Sequence, residues 1–332
     1  MRGLRANYSE LQLLMRPFQP VALCLQELII PNSYTFCNRQ YTLISKLPDL
    51  DNNSRPVGGV GILIRKDTPY SEIKLDSQLQ AVACRISAPE PISICSIYLP
   101  PTSTWNHKDL LKLVVQLPTP VLLMGDFNSH STLWGCSSTN QKGLEIETFL
   151  VQSNLCLLNN KSATYLHPAT GTLSSLDLAF CDPSLYLSYT WSVHNDLCGS
   201  DHYPTIVAQP DTQAVDDWKR WQLKRADWGL FKELCSSDLN LTVLKRSANP
   251  FKQFTTTLID IASKSIPKTC GKLKIRQKPW FNEDCKSAIK NRKLALKKFL
   301  ANPLQSNLDN VKLLRARAKR TLKLSKRGSW KS

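Results

Sequence analysis

Six short motifs follow one another along residues 25–202: Leu25-Gln26-Glu27, Ser96-Ile97-Tyr98, Gly125-Asp126-Phe127-Asn128, Ser174-Ser175-Leu176-Asp177, Asp182, and Gly199-Ser200-Asp201-His202. Each lies beside an apolar run, and these runs constrain the fold more than any other feature. Val21–Leu25, Tyr41–Ser45, Val60–Ile64, Leu79–Ile86, Ile92–Leu99, Val121–Met124, Leu155–Leu158, Leu176–Cys181, Tyr189–Val193 and Thr205–Ala208 are short and mostly rich in β-branched residues. Several are separated by turn residues such as Pro31-Asn32-Ser33, Gly58-Gly59, Pro89 and Pro91. Such runs read as buried strands. Many strands with few intervening helices predict two packed sheets with helices outside, an α/β sandwich. Polar groups repeatedly placed where the apolar runs end would then collect at one rim of a sheet.

Helical spacing is confined to fewer stretches. Tyr8, Leu11, Leu14 and Met15 recur helically, and Lys108–Gln116 and Gly143–Ser153 read as helices. The pattern changes near Pro210. Asp211–Asp217 reads as a linker, and helices follow it. Asn249-Pro250 is a cap followed by Pro at the first helical position, opening Phe251–Ser265. Trp280–Leu300 and Leu304–Leu324 read as two more helices, with Pro303 between them and an apolar stripe of Ile289, Leu296, Leu300, Val311 and Leu314. The expected division is a sandwich over 1–209, a linker over 210–226 and a basic helical segment over 227–332.

Charge divides the chain in the same place. Residues 1–210 hold 14 Lys/Arg against 16 Asp/Glu, whereas 211–332 hold 29 against 10. A polyanion is the natural partner of the second part: nucleic acid first, an anionic membrane surface second. The eleven cysteines form no C-x-x-C pair and no zinc spacing, and read as reduced core residues of an intracellular protein. No apolar run approaches the ~18 residues of a membrane span, and no signal-peptide pattern is visible. The expectation is a nuclear or cytoplasmic protein with no membrane partner.

The motif residues suit phosphate-ester chemistry. Glu27, after a strand, could hold a hard cation through oxygen; taken alone it is better read as a solvated surface carboxylate. Asp126 could orient or deprotonate an attacking water. Asn128 could donate to charge building on phosphate oxygens, and the plain alternative is an Asx turn. His202 could be kept protonated by a carboxylate, with Asp177 the candidate partner, or be a hydrogen-bonded core histidine. Tyr98 reads as core or rim packing. Trp134 reads chiefly as packing, and His130 has no second ligand at metal spacing. The loop of His167 and Thr170-Gly171-Thr172 fits either a groove-reaching element or a plain hairpin.

The ordered set Gln-Glu, Tyr-Leu-Pro-Pro, Gly-Asp-Phe-Asn-x-His-x-x-x-Trp-Gly, Ser-x-Leu-Asp-Leu and Ser-Asp-His resembles the endonuclease/exonuclease/phosphatase superfamily. Within it, the set is most similar to the apurinic-like endonuclease of jockey-type non-LTR retrotransposons, over roughly residues 2–209. The resemblance implies a four-layer α/β sandwich and Mg²⁺-dependent phosphodiester hydrolysis, with Mn²⁺ as a substitute ion. It implies Glu27 as metal ligand and Asp201 as a second carboxylate near the metal. It implies Asp126 as base, Asn128 as phosphate-side donor, His202 paired with Asp177, and Tyr98 at the scissile phosphate. The substrate implied is DNA, nicked to prime reverse transcription. Lys278-Pro279-Trp280-Phe281-Asn282-Glu283-Asp284-Cys285 and the basic helices after it resemble the connector to a reverse transcriptase, where element RNA is a second partner.

Family members begin with a strand ending in Trp-Asn just before a Gly-Leu-Arg like Gly3-Leu4-Arg5. The resemblance therefore implies a strand and a metal-site Asn ahead of residue 1, for which Asn7 does not substitute. It also implies a polymerase beyond the basic helices, and the chain shows no polymerase aspartate motif. Two competing readings are a catalytically inactive nucleic-acid-binding relic, and a phosphomonoesterase or lipid phosphatase on the same fold.

Overall fold

The computed structural model describes residues 3–31, 33–47, 49–50, 56–87, 90–210, 221–239, 249–268 and 278–329. Antiparallel pairing joins Ala22–Gln26 (β1), Tyr41–Lys46 (β2) and Val60–Arg65 (β5) in the order β1-β5-β2. Two-residue strands Asp49–Leu50 (β3) and Pro56–Val57 (β4) pair between β2 and β5. The larger sheet contains Tyr70–Ile73 (β6), Gln80–Ile86 (β7), Ile92–Tyr98 (β8), Val121–Asp126 (β9), Cys156–Leu157 (β10) and Asp177–Cys181 (β13), in the order β10-β13-β9-β8-β7-β6.

Period-two alternation along these strands sorts the side chains into layers. Val60, Ile62 and Ile64 of β5 pack with Val82, Cys84, Ile86 and Ile94 between the two sheets. Leu63, facing the other way, packs with Leu4, Leu11 and Met15 of the helix Leu4–Phe18 (α1). On the far side of the large sheet, Ala81, Ala83, Cys95, Ile97, Leu123 and Phe180 meet Leu110 and Leu113 of His107–Val115 (α2) and Ile146 and Phe149 of Gln141–Gln152 (α3). The result is helix, sheet, sheet, helix: the four-layer sandwich expected from the motifs.

One pairing decides where the motifs meet. β8 and β9 are parallel neighbours, the only parallel pair among the described strands. Parallel strands need a crossover, and α2 supplies it. The C-terminal ends of β8 and β9 then lie side by side, with Tyr98 opposite Asp126. β13 runs antiparallel to β9, so its first residue, Asp177, also lies opposite Asp126. Asp177 opens β13, in keeping with the strand Leu176–Cys181 read from the sequence, because an antiparallel partner presents its start where β9 ends.

A short hairpin, Tyr165–Leu166 (β11) with Leu173–Ser174 (β12), and the pair Thr190–Val193 (β14) with Thr205–Ala208 (β15) complete the strands. The hairpin is one of the two readings given to the His167–Thr172 loop, whereas β6 and the short helix Pro183–Tyr186 (α4) were not legible in the hydrophobic pattern.

Chain contacts group Met1–Pro210 with Lys278–Ser332, and Asp211–Gln277 separately. The expected boundary at 227 is thus drawn elsewhere. In the second unit, Trp228–Asp238 (α5) packs with Pro250–Ser265 (α6), whose first turn is capped by Asn249 through Lys252 N–H at 3.0 Å. The Lys268 ammonium lies 4.0 Å from the Trp221 ring centre. The expected linker Asp211–Asp217 lies outside the described residues.

Residues 278–329 join the first unit because their apolar stripe is used there. They form a pair of packed helices, Glu283–Ala301 (α7) and Gln305–Gly328 (α8). Ala295, Leu296, Phe299, Leu308 and Val311 share a core with Leu166, Leu197 and Tyr203 of the sandwich. Asn282 caps α7 by accepting from Cys285 N–H at 3.0 Å, so Trp280 lies before the helix and is buried with Cys285 and Leu322. No described helix is long and apolar enough to cross a membrane.

Candidate active site

Asp126 is held at the end of β9 by its neighbours. Its main-chain oxygen accepts from Leu99 N–H at 2.9 Å, and Phe127 N–H donates to Leu176 at 3.0 Å. Gly125 is required here: a Cβ would lie 1.8 Å from the Ile97 carbonyl oxygen. Asn128, at φ 45°, turns back so that its N–H donates to Asp126 Oδ1 at 3.0 Å. One hydrogen of its side-chain amide goes to the Leu99 carbonyl at 3.0 Å. The Asx turn and the site are therefore one arrangement, since the turn is what aims the Asp126 carboxylate.

His202 lies between two carboxylates. Its Nδ1–H donates to Asp177 Oδ2 at 2.8 Å, and its Nε2 lies 3.8 Å from Asp126 Oδ2. Burial opposes charge on the imidazole, but Asp177 and Asp126 outweigh it and raise the pKa to about 9. Asp126 moves the other way from an ordinary surface carboxylate. Burial raises its pKa, partly offset by the His202 charge and reinforced by Asp177. His202 is neither a core histidine nor an exposed one: 19% of its side chain is accessible, against 7% for Asp126. The pair therefore faces solvent at one edge while resting on the sheet.

The remaining motif residues fall around this pair unevenly. Tyr98 is buried, and its hydroxyl donates to Glu27 Oε1 at 2.9 Å. Glu27, at φ 54° just after β1, is thereby brought to the large sheet's rim from the small one. Asp126, Asp177 and His202 place ligand-type atoms within 4.8 Å of one another. Among the described residues, neither Glu27 nor Asp201 joins that group. Asp201 has Arg315 of α8 as a charged neighbour, and its main-chain oxygen accepts from Leu166 N–H at 2.9 Å. A protonated imidazole has no lone pair for a metal. The oxygen donors of Glu27 and the aspartates are the groups that fit a hard divalent cation.

Trp134 is fully buried, with its Nε1–H donating to the Ser129 carbonyl at 3.3 Å, so it is packing. The His167 loop is the tip of the β11–β12 hairpin, and Gly171 in it is at φ 74°. Several supporting residues escaped sequence reasoning. Thr164 Oγ1 accepts from Leu176 N–H and Asp177 N–H, both at 3.0 Å. Asn159 clasps β13 through Asp177 O and Ala179 N–H, both at 2.9 Å. The Tyr165 ring centre lies 4.7 Å from that of His202. None stands in a periodic run or a charged motif. The polar pair Asn159-Asn160 near a strand was the one signal available.

A family model described as endonuclease-reverse transcriptase matches residues 92–206, from β8 through His202 to β15. That stretch is similar to the family and spans about a third of the chain. The chain is similar to two Drosophila melanogaster proteins. It is 26% identical over 190 residues to the probable RNA-directed DNA polymerase from transposon X-element, covering 55% of this chain and 21% of that protein. It is 24% identical over 223 residues to the corresponding protein of transposon BS, covering 64% and 24%. The chain spans under a quarter of the length of these relatives. Among solved structures it overlaps the endonuclease domain of TRAS1, a telomere-specific non-LTR retrotransposon, at TM-score 0.49 and 16% identity, covering 64% of this chain and 97% of that one. The Xenopus laevis APE2 catalytic domain overlaps at TM-score 0.48 and 14% identity, covering 62% and 88%.

Proposed function

We propose that this chain is a Mg²⁺-dependent DNA endonuclease, the nicking part of a non-LTR retrotransposon, whose product primes reverse transcription. The observation that carries this reading is the partly buried Asp126–His202–Asp177 constellation at the rim where β9 and β13 meet. Asp126 accepts a proton from a water as its oxygen attacks phosphorus in line. The bond from phosphorus to the 3′-oxygen breaks, and that oxygen takes up a proton from solvent. The products are a 3′-hydroxyl and a 5′-phosphate. His202, held protonated by Asp177, donates to the phosphoryl oxygens as negative charge builds there. The second hydrogen of the Asn128 amide serves the same oxygens, and Tyr98 contacts the scissile phosphate. Glu27 would hold the ion, with Asp201 the second carboxylate near it. When bound, Mg²⁺ supplies positive charge to the phosphate.

The basic helices favour DNA over a phosphorylated small molecule or lipid. On α7, Lys286, Lys290, Lys293 and Lys297 recur at helical spacing and are all exposed, flanking a buried face of Cys285, Arg292, Leu296 and Phe299. On α8, Lys312, Lys319 and Lys323 do the same against buried Leu308, Val311, Ala318 and Leu322. Each lysine row follows a helix for about 16 Å, a length suited to successive phosphates of a duplex or of element RNA.

The test is supercoiled plasmid incubated with the full chain and Mg²⁺, beside an Asp126→Ala control. Metal-dependent open circles absent from the control support the reading. A folded chain that binds DNA without nicking it would instead be the binding relic.

A further inference from the structure

Two carboxylates of the sandwich are buried around a cation that the sandwich itself does not supply. Glu10 of α1 is 5% exposed and Asp196, six residues before His202, is 2% exposed. Arg292 of α7 bridges them. Its Nη1 donates to Glu10 Oε1 at 2.6 Å and its Nη2 to Asp196 Oδ2 at 2.8 Å and Glu10 Oε2 at 3.3 Å. Burial works against the guanidinium charge, but the two carboxylates hold it firmly protonated. Remove this arginine, and the two buried carboxylates lose their bridging cation, keeping Arg315 and, 3.9 Å from Asp196, Lys293 as charged neighbours.

The segment between Asp196 and His202 has a turn of its own, Ser200 N–H donating to the Leu197 carbonyl at 2.8 Å, and is held further from outside. Cys198 is at φ 47° and Gly199 at φ 79°, two successive residues in the left-handed region. For Cys198 this is a strained position that surrounding contacts must hold. Those contacts come from α1, α7 and α8. A Cβ on Gly199 would lie 3.2 Å from Glu10 Cγ, so the loop lies against α1 beside the triad. Arg315 of α8 donates to the Gly199 carbonyl at 3.3 Å. The loop in turn sets His202, whose N–H donates to Ser200 Oγ at 3.1 Å. The other side of His202 is supported by the same helices. Tyr165 stands over the imidazole, and the tip of its hairpin is pressed on α7 so closely that a Cβ on Gly171 would lie 2.6 Å from Phe299 Cζ.

We propose that the α7–α8 pair is a working part of the active site, and that Arg292 is a positioning residue which holds the 194–202 loop so that His202 meets Asp126 and Asp177. The basic helices thus have an inward role distinct from any contact with nucleic acid. This inference rests on the nuclease reading for its kinetic consequence, and on geometry alone for the loop.

The experiment compares the full chain with Arg292→Met and Arg292→Lys. Plasmid nicking gives kcat and KM, and hydrogen exchange reports the loop whether or not the chain nicks. In Arg292→Met, kcat falls about 100-fold, the scale of a small misplacement of a reacting group, while KM stays within about twofold because the lysine rows are untouched. Exchange at 197–203 rises at least about tenfold while β8 and β9 keep their protection. Arg292→Lys retains the charge and loses the fork, and falls between the two. Should Arg292→Met fail to fold, loop exchange in Arg292→Lys decides instead. An unchanged kcat, or exchange rising equally across both sheets, overturns the proposal. If the parent chain does not nick, the nuclease reading fails by itself, and loop exchange still tells whether Arg292 holds the loop.

Discussion

The first unit holds two ionic triads of like charge, each a cation between two carboxylates, one half-buried and one buried. In one, His202 stands between Asp126 and Asp177; in the other, Arg292 stands between Glu10 and Asp196. The cations differ in what they can do. An imidazole exchanges its proton within the ordinary pH range, and a guanidinium does not. Access follows the same division, since the Arg292 side chain is 3% exposed against 19% for His202. Their sequence separations also differ. Asp126 and Asp177 lie on adjacent strands and His202 in the loop between β14 and β15, whereas Arg292 lies 282 residues from Glu10. The same electrostatics places a titrating cation at an accessible rim in one triad and a permanent, sealed one in the other, which suits the first to the proposed chemistry and the second to the proposed positioning role.

Removing the chemical member of the first triad should have the largest effect. Asp126→Asn keeps size and the Asn128 contact yet removes the proton acceptor, and nicking should fall at least ~10³-fold with unfolding unchanged or slightly delayed. A plasmid assay beside a thermal melt reads both quantities. Activity near the parent value would make the two triads alike in role. His202→Asn should follow with a loss of ~10²-fold or more.

The second triad should answer in stability. Asp196→Asn leaves Arg292 with Glu10 alone and should cost about 1–3 kcal/mol, the scale of a weakened charged hydrogen bond. Denaturant midpoints measure it, and an unaffected midpoint would separate Asp196 from the architectural role.

The pH response sharpens the contrast further. His202 has a folded pKa raised from 6.5 to about 9. The stabilisation from its charged form is therefore complete below its unfolded pKa of ~6.5 and is lost as pH rises through about 9. The Arg292 triad contributes no such step there. Histidine NMR in the presence of a chelator should show one imidazole titrating near 9, and titration at the ordinary value would contradict the pairing. The smallest effect belongs to the outer lysines. Lys290→Glu with Lys297→Glu should weaken DNA binding about tenfold and flatten its salt dependence, leaving melting nearly unchanged. Salt-insensitive binding by the parent chain would remove the lysine rows from the DNA reading.

Much of the sandwich was legible because buried strands carry a local signature. Tyr41–Lys46, Val60–Arg65 and Thr205–Ala208 start where the apolar runs start. The strand Tyr70–Ile73 was not, because an edge strand exposed at Ser71 and Glu72 has no apolar alternation to read. The hairpin Tyr165–Leu166 with Leu173–Ser174 was too short to show a period. Asp177 was recognised as a partner of His202 and stood near the start of the run Leu176–Cys181, but its register with Asp126 was not readable. Strand direction is set by pairing across the sheet, and no local pattern records it.

Composition and motif order alone determined the strand-rich class, the basic character of the C-terminal third and the candidate residues Asp126, Asp177 and His202, since each depends on a local motif or a recurring local pattern. The tertiary structure alone decided that Asp126 and Asp177 are register partners, that Glu27 reaches the rim through Tyr98, and that the basic helices turn one face inward to give Arg292 to Glu10 and Asp196. Each of these joins groups 50 to 280 residues apart. Contacts at such separations are chosen by topology and by the cost of burying an unpaired charge, and neither quantity is written in a local stretch of sequence.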